Sequence, residues 1–186
     1  MTVSRVLNNA SNVKPSTRER VLEAVEELGY VPSGVAKSLR SKRTHTLALL
    51  VPDGANAFWT TVARGVEDTA QDRGYSVLLC NTDENPTKQQ NYLDVIIRQQ
   101  VDGVVIAPCN TDAQNLDKLR RARIPTVAID RYIKGWDVDT VMGDSISGAR
   151  ALVGHLIGLG HQRVAMLSGP ATTSTASDRV VGYRIA

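Results

Sequence analysis

From residue 46 onward, short continuous apolar runs alternate with longer stretches whose apolar residues recur every three to four positions. Residues 46–52, Thr-Leu-Ala-Leu-Leu-Val-Pro, have no polar side in alternation, so a strand here is buried on both faces. Helical spacing follows over 57–73, with Phe58, Val62, Ala63, Val66 and Ala70 inward and Gly74 as the stop. The pattern continues with a strand over 76–80, then a helix over 86–100 that turns Tyr92, Leu93, Ile96 and Ile97 inward. A strand over 103–107, a helix over 112–122 and strands over 126–130 and 138–142 come next, then a helix over 146–159 and a strand over 163–167. Apolar strands separated by amphipathic helices form parallel βαβ units with helices on both faces of the sheet, an α/β fold.

Ligands of such sheets bind beyond the carboxyl ends of the strands. That places the candidate ligand groups at 53–58, 81–83, 107–110 and Asp130-Arg131. A carboxylate accepts hydrogen bonds from hydroxyls, and an arginine donates to them or stacks on a ring. An Asp-Arg pair closing a strand also suits a loop salt bridge, and Phe58 also suits a core position at a helix start. No G-x-G-x-x-G follows the first strand and no Walker A motif is present, which weakens a nucleotide-dependent enzyme as the reading. No serine sits in G-x-S-x-G, and His45, His155 and His161 are scattered, so nothing argues for catalysis or a metal site, and no cofactor is expected. Cys80 and Cys109 each end an apolar run without metal-ligand spacing, which reads as two buried reduced thiols of a cytoplasmic protein. No apolar stretch approaches membrane-spanning length, and the N-terminus lacks a signal peptide's apolar core.

The first 46 residues differ in charge from the rest. They hold eight Lys and Arg against four Glu, a net +4, whereas the whole chain is +3. Thr2-Val3-Ser4-Arg5-Val6-Leu7-Asn8 reads as a helix with Val3, Val6 and Leu7 on one face and Thr2, Ser4, Arg5 and Asn8 left for the other. Such polar side chains can meet phosphates and base edges, arginine bidentately at guanine. A second helix opens at the capping box Ser16-Thr17-Arg18-Glu19, turns Val21, Leu22, Val25 and Leu28 inward and stops at Gly29. Residues 30–43 combine Pro32, Ser33, Val35, Ala36 and Leu39 with Lys37, Arg40, Lys42 and Arg43. Cations beside an exposed leucine suit a minor-groove wedge, and the same composition suits an ordinary interdomain linker.

In order along the chain, Thr-Val-Ser-Arg-Val-Leu-Asn, Thr17-Arg18-Glu19-Arg20-Val21, Leu28-Gly29-Tyr30-Val31-Pro32 and Val35-Ala36-Lys37-Ser38-Leu39-Arg40 resemble the lactose-repressor/galactose-repressor (LacI/GalR) family of bacterial transcription regulators. The resemblance runs on through Val51-Pro52-Asp53, Arg64-Gly65-Val66-Glu67, Val101-Asp102-Gly103-Val104, Ile129-Asp130-Arg131 and Ser168-Gly169-Pro170. It implies a helix-turn-helix remnant at 1–29, a hinge helix and linker at 30–45, and a periplasmic-binding-protein-like effector module. That module's first subdomain would span 46–143 and its second would begin at 144–186. The family's recognition helix follows a scaffold helix, so Met1 reads as an internal codon mistaken for a start, with a truncated product as the alternative, and the second subdomain is expected to continue past Ala186.

The resemblance also implies roles. A homodimer would read palindromic double-stranded operator DNA, with Thr2, Ser4, Arg5 and Asn8 in the major groove and Leu39 in the minor groove. Lys14, Thr17, Ser33, Ala36 and Lys37 would complete the DNA contacts. Asn56, Phe58, Asp130, Arg131 and Arg179 would hold a small-molecule effector. Thr173 stands where a purine-binding relative carries arginine, which favours a carbohydrate. The rival readings are a sugar-binding module without DNA function, a nucleotide-dependent enzyme and a non-functional fragment.

Overall fold

A computed structural model describes residues 2–7, 11–30 and 43–186. Two compact units divide between Thr44 and His45.

In the first unit, helix α1 (Thr2–Leu7) packs on helix α2 (Pro15–Glu27), burying Val6. The Arg18 guanidinium donates to the Val6 carbonyl at 3.3 Å and ties the two helices. The expected capping box does not form. Pro15 takes the first helical position, which its fixed φ and missing N–H suit, so the cap falls on Lys14 and no side chain closes it. The stop at Gly29 is as expected: at φ +56° the chain turns so that Tyr30 N–H reaches the Val25 carbonyl at 2.9 Å. Val21 and Val25 are half-buried, but Leu22 and Leu28 are exposed, Leu28 at 78%. One short helix cannot cover the whole apolar face of α2. What remains is an apolar groove of about 440 Å³ lined by Val3, Val21, Val25, Leu28 and Tyr30 among others.

The second unit is a five-stranded parallel sheet in the order β2-β1-β3-β4-β5, with β1 Thr46–Val51, β2 Ser76–Asn81, β3 Gly103–Ile106, β4 Thr126–Ile129 and β5 Asp139–Val141. Helices α3 (Ala57–Gln71) and α4 (Pro86–Arg98) make the first two crossovers. The third is a 3₁₀ turn (Ala113–Leu116) running into a short helix α5 (Asp117–Ala122), where one continuous helix was expected. Along β1 the side chains alternate between two cores. Ala48 and Leu50 join Leu93, Ile96, Ile106, Leu116 and Leu119 on one face, while Leu49 and Val51 join Trp59 and Ala63 on the other. Burying such aliphatic side chains stabilises the fold by about 1.5–3 kcal/mol each, which explains why these strands carry no polar alternation.

Trp59, not Phe58, takes the core position at the start of α3. Phe58 is 53% exposed, its ring set edge-on against Trp59 at 4.9 Å. The rest of the expected stripe holds: Ala63 and Ala70 are buried, and Val62 and Val66 pack half-buried against the same core.

Beyond β5 come helices α6 (Ser145–Gly158) and α7 (Ser174–Ile185). Residues 163–167 are not a strand. Among the described residues no strand pairs with them; the Val164 carbonyl accepts from the Tyr183 hydroxyl at 2.7 Å instead. Val164 to Leu167 line a groove of about 460 Å³ with α6 and α7. Helix α7 was not anticipated. It crosses α6 at Gly182, where an added Cβ would lie 2.2 Å from the Ile146 carbonyl oxygen and 2.9 Å from the Ala149 Cβ. In an open helix interior, Gly→Ala gains about 1 kcal/mol from propensity. Here the contact reverses the sign: Gly182→Ala should lower the melting temperature in a thermal scan, by a destabilisation of about 1–3 kcal/mol.

Candidate ligand cleft and nucleic-acid face

Parallel pairing brings the carboxyl ends of β1 to β4 to one edge of the sheet, and with them the loops that begin at Pro52, Thr82, Ala107 and Asp130. These loops are laced together. Gly54 N–H donates to Asn81 Oδ1 at 3.2 Å, and buried Thr82 donates to the Val51 carbonyl at 3.2 Å. The Cys109 thiol lies 3.5 Å from Thr82 Oγ1, while Cys109 N–H donates to Gln89 Oε1 at 2.9 Å. Both cysteines are buried and free, and burial pushes the Cys80 thiol up to about 11.

Asp130 follows β4 with φ +64°, a left-handed conformation that aspartate tolerates better than most residues. Its N–H still donates to the Val141 carbonyl at 2.8 Å, so the residue keeps its place in the sheet while its side chain leaves the strand's plane of alternation. Burial raises the Asp130 carboxyl above the ordinary range; Arg131 and Arg179 pull it back and Glu84 adds to the rise. Asp130 and Arg179 are thus brought within electrostatic reach, although 49 residues separate them in sequence.

Arg131 is buried, and its guanidinium is already engaged. Nη1 and Nη2 donate to the two carboxylate oxygens of Glu84 at 2.9 and 2.6 Å, and Nη1 also donates to the Pro108 carbonyl at 2.9 Å. Nε is buried without a hydrogen-bond partner, 3.7 Å from Asp130 Oδ2. Asn56 caps α3, its Oδ1 accepting from Phe58 N–H at 2.9 Å. Asn56 and Phe58 follow β1, two strands from β4, so about 10 Å of sheet width separates them from Asp130. The edge therefore carries an acceptor carboxylate and an exposed aromatic ring, with Arg179, which lines the groove between α6 and α7, acting on that carboxylate electrostatically. This is the inventory that a small polyhydroxylated ligand uses. Thr82 lies in the expected 81–83 loop, whereas Glu84 and Gln89 are not among the expected residues. For Glu84 the available signal was its place directly after the 81–83 loop.

Among the expected DNA-contacting residues, Thr2, Ser4 and Arg5 are exposed on α1, Lys14 is exposed ahead of α2, and Thr17 is half-buried beside α1. Asn8, Ser33, Ala36, Lys37 and Leu39 lie outside the described residues. Among the described residues no cluster of His, Cys, Asp or Glu could hold a metal ion, and no helix is long and apolar enough to cross a membrane.

Asp130 generates a stability prediction. Its folded pKa lies above its unfolded value, so the folded state binds the extra proton. Stability should then fall as pH rises from the ordinary aspartate range through the raised value. Denaturant titrations across that window should show the slope flattened in Asp130→Asn, a substitution that also accepts the left-handed backbone.

Residues 44–186 match the model for periplasmic binding proteins and the sugar binding domain of the LacI family, and residues 1–33 match that for bacterial regulatory proteins of the lacI family. The ribose operon repressor of Halalkalibacterium halodurans is 40% identical over 183 residues, which cover 98% of this chain and 54% of the repressor. The lac repressor dimer bound to operator and an anti-inducer superposes with a TM-score of 0.84 at 27% identity, covering 99% of this chain and 56% of that one. A complex of the transcriptional regulator CelR with cellobiose gives 0.69 at 31% identity, covering 98% and 55%. The chain spans about half the length of the curated relatives it matches. With both of its segments matched in order, the chain belongs to the LacI family of bacterial regulatory proteins.

Proposed function

We propose that this chain is part of a cytoplasmic transcription regulator, a repressor and not an enzyme, which binds double-stranded operator DNA as a homodimer and responds to a small carbohydrate. The observation that carries the reading is the pairing of two features in one chain. An exposed polar helix lies in the basic N-terminal segment, and the carboxyl edge of a parallel sheet presents Asp130 with Arg179 close by. Residues 1–29 read DNA, 30–45 link, 46–143 form the first effector subdomain and 144–186 begin the second.

Thr2, Ser4 and Arg5 contact base edges and phosphates, and Lys14 and Thr17 contact the backbone. Asp130 accepts from ligand hydroxyls while Arg179 closes on them from α7, and Phe58 offers an apolar face. The effector biases two arrangements of the effector subdomains, and operator affinity follows that equilibrium.

In the protein produced from its own gene, Arg5→Ala should cost about 1–3 kcal/mol on a selected palindromic operator and relax base preference at one position. Lys14→Ala should weaken all sequences alike and lower the salt slope by about one. Equal losses for Arg5→Ala on operator and random DNA would demote it to a phosphate contact. Calorimetry against a panel of pentoses, hexoses and purines should find carbohydrate binding that Asp130→Ala abolishes, with operator binding kept. Tight purine binding without carbohydrate binding would overturn the effector class.

A further inference from the structure

The Arg131 guanidinium is where a second ligand-binding cation would be expected in the cleft, and Glu84 has taken it. The two groups come from strand ends 47 residues apart and meet in a bidentate pair of 2.6 and 2.9 Å, which the Pro108 carbonyl completes. Glu84 reaches this position from a backbone in the left-handed region at φ +53°, directly after Asp83 at φ +52°. Two consecutive non-glycine residues in that region are strained, and strain of this kind persists where the surroundings impose it. Glu84 is half-exposed while Arg131 is 7% exposed, so the carboxylate fastens a buried cation from the solvent side.

Three charged groups act on Asp130: Arg131 most strongly, then Arg179, both favouring its carboxylate, and Glu84 least, opposing it. Arg131 turns only its Nε toward Asp130, at 3.7 Å to Oδ2.

We propose that Glu84 is a positioning residue of the cleft: by occupying Arg131 it withdraws that cation from the ligand and leaves the floor to the acceptor Asp130, so the cleft selects a free, hydroxyl-bearing sugar over its phosphate. This rests on the carbohydrate reading above. An anionic ligand at the strand ends would find the Arg131 Nη donors held by Glu84, would meet the Glu84 and Asp130 carboxylates in their place, and would have Arg179 alone to offset them.

Two measurements on the full chain separate the clamp from that reading. In the wild type, NMR should show the Arg131 guanidinium protons as protected from solvent exchange. In Glu84→Gln, which removes the charge and one acceptor, protection should drop about tenfold or more. Equal protection in both proteins overturns the proposal whatever the ligand. Calorimetry with D-ribose and D-ribose 5-phosphate as probes should show preference for the free sugar in the wild type. That ratio should shift toward the phosphate by about tenfold in Glu84→Gln, and Glu84→Asp, which keeps the charge, should retain most of the wild-type preference. An unchanged ratio in Glu84→Gln overturns the proposal and leaves the carbohydrate reading intact. If the wild type binds neither probe, the same pair of measurements is made with the free sugar that the panel above identifies and its phosphate; a panel that finds no sugar overturns the carbohydrate reading and the selectivity together.

Discussion

The pairing of β1 with a parallel neighbour on each side is the constraint on which the second unit depends. Thr46 to Val51 register against Ser76 to Asn81, and Leu47 to Leu50 against Gly103 to Ile106, so the central strand spends its backbone hydrogen bonds on both flanks. Its side chains meanwhile feed two separate cores. Ala48, Leu49 and Leu50 are fully buried, and truncating a leucine in such a place typically costs about 2–5 kcal/mol against a total stability of about 5–15 kcal/mol. The parallel direction has a functional consequence as well. Each crossover helix returns the chain to the same starting edge, so every strand delivers the residues that follow it to the opposite edge. Pro52, Thr82, Ala107 and Asp130 arrive together because of strand direction, before any side chain takes part.

Much of this is legible in the residues. Strands buried on both faces leave apolar runs such as 46–51 and 103–106 that cannot be mistaken for a half-exposed surface. Gly29 and Gly74 mark helix stops because the chain passes through φ +56° and +72° there. What could not be read depends on packing or on competition between local signals. Ser16-Thr17-Arg18-Glu19 is a sound capping box until Pro15 is seen to fit the helix one position earlier. Phe58 and Trp59 are adjacent aromatics, and only the space against β1 decides which is buried. Residues 163–167 are as apolar as a strand, but an apolar run says nothing about the presence of a partner. Helix α7 was missed because it docks through close approach at Gly182, which leaves no apolar stripe to recognise.

The same division holds at the cleft. Asp130 and Arg131 could be singled out because they end an apolar strand, and Arg179 because it falls at a family position after Gly169-Pro170. Sequence alone places Asp130 and Arg131 together, as an acceptor and a donor for one ligand or as a salt bridge to each other. In the fold they part ways, and the reason is burial. A guanidinium removed from water is strongly destabilising unless its donors are met, so the more buried member of the pair takes the strongest available partner. Glu84 supplies two acceptors in the fork geometry that guanidinium matches, and it comes from the neighbourhood of β2, a contact that no local pattern announces.

Asp130 is left under-satisfied by the same logic. Its carboxylate is partly buried, its nearest cation stands at 3.7 Å through an Nε that has no hydrogen-bond partner, and Arg179 acts on it from farther away. A carboxylate whose lone pairs were already filled by the protein would gain little from a ligand, because each new hydrogen bond would replace an old one. A carboxylate raised by burial and only loosely matched has more to gain, since a ligand hydroxyl offsets desolvation that the fold has already imposed. The left-handed backbone at Asp130 serves the same end, aiming the side chain off the strand while its N–H stays bonded to Val141. Holding the two Nη groups of Arg131 and leaving Asp130 without a matched partner is therefore one arrangement: the first keeps a buried cation from destabilising the fold, and the second leaves binding capacity at the sheet edge where the loops converge.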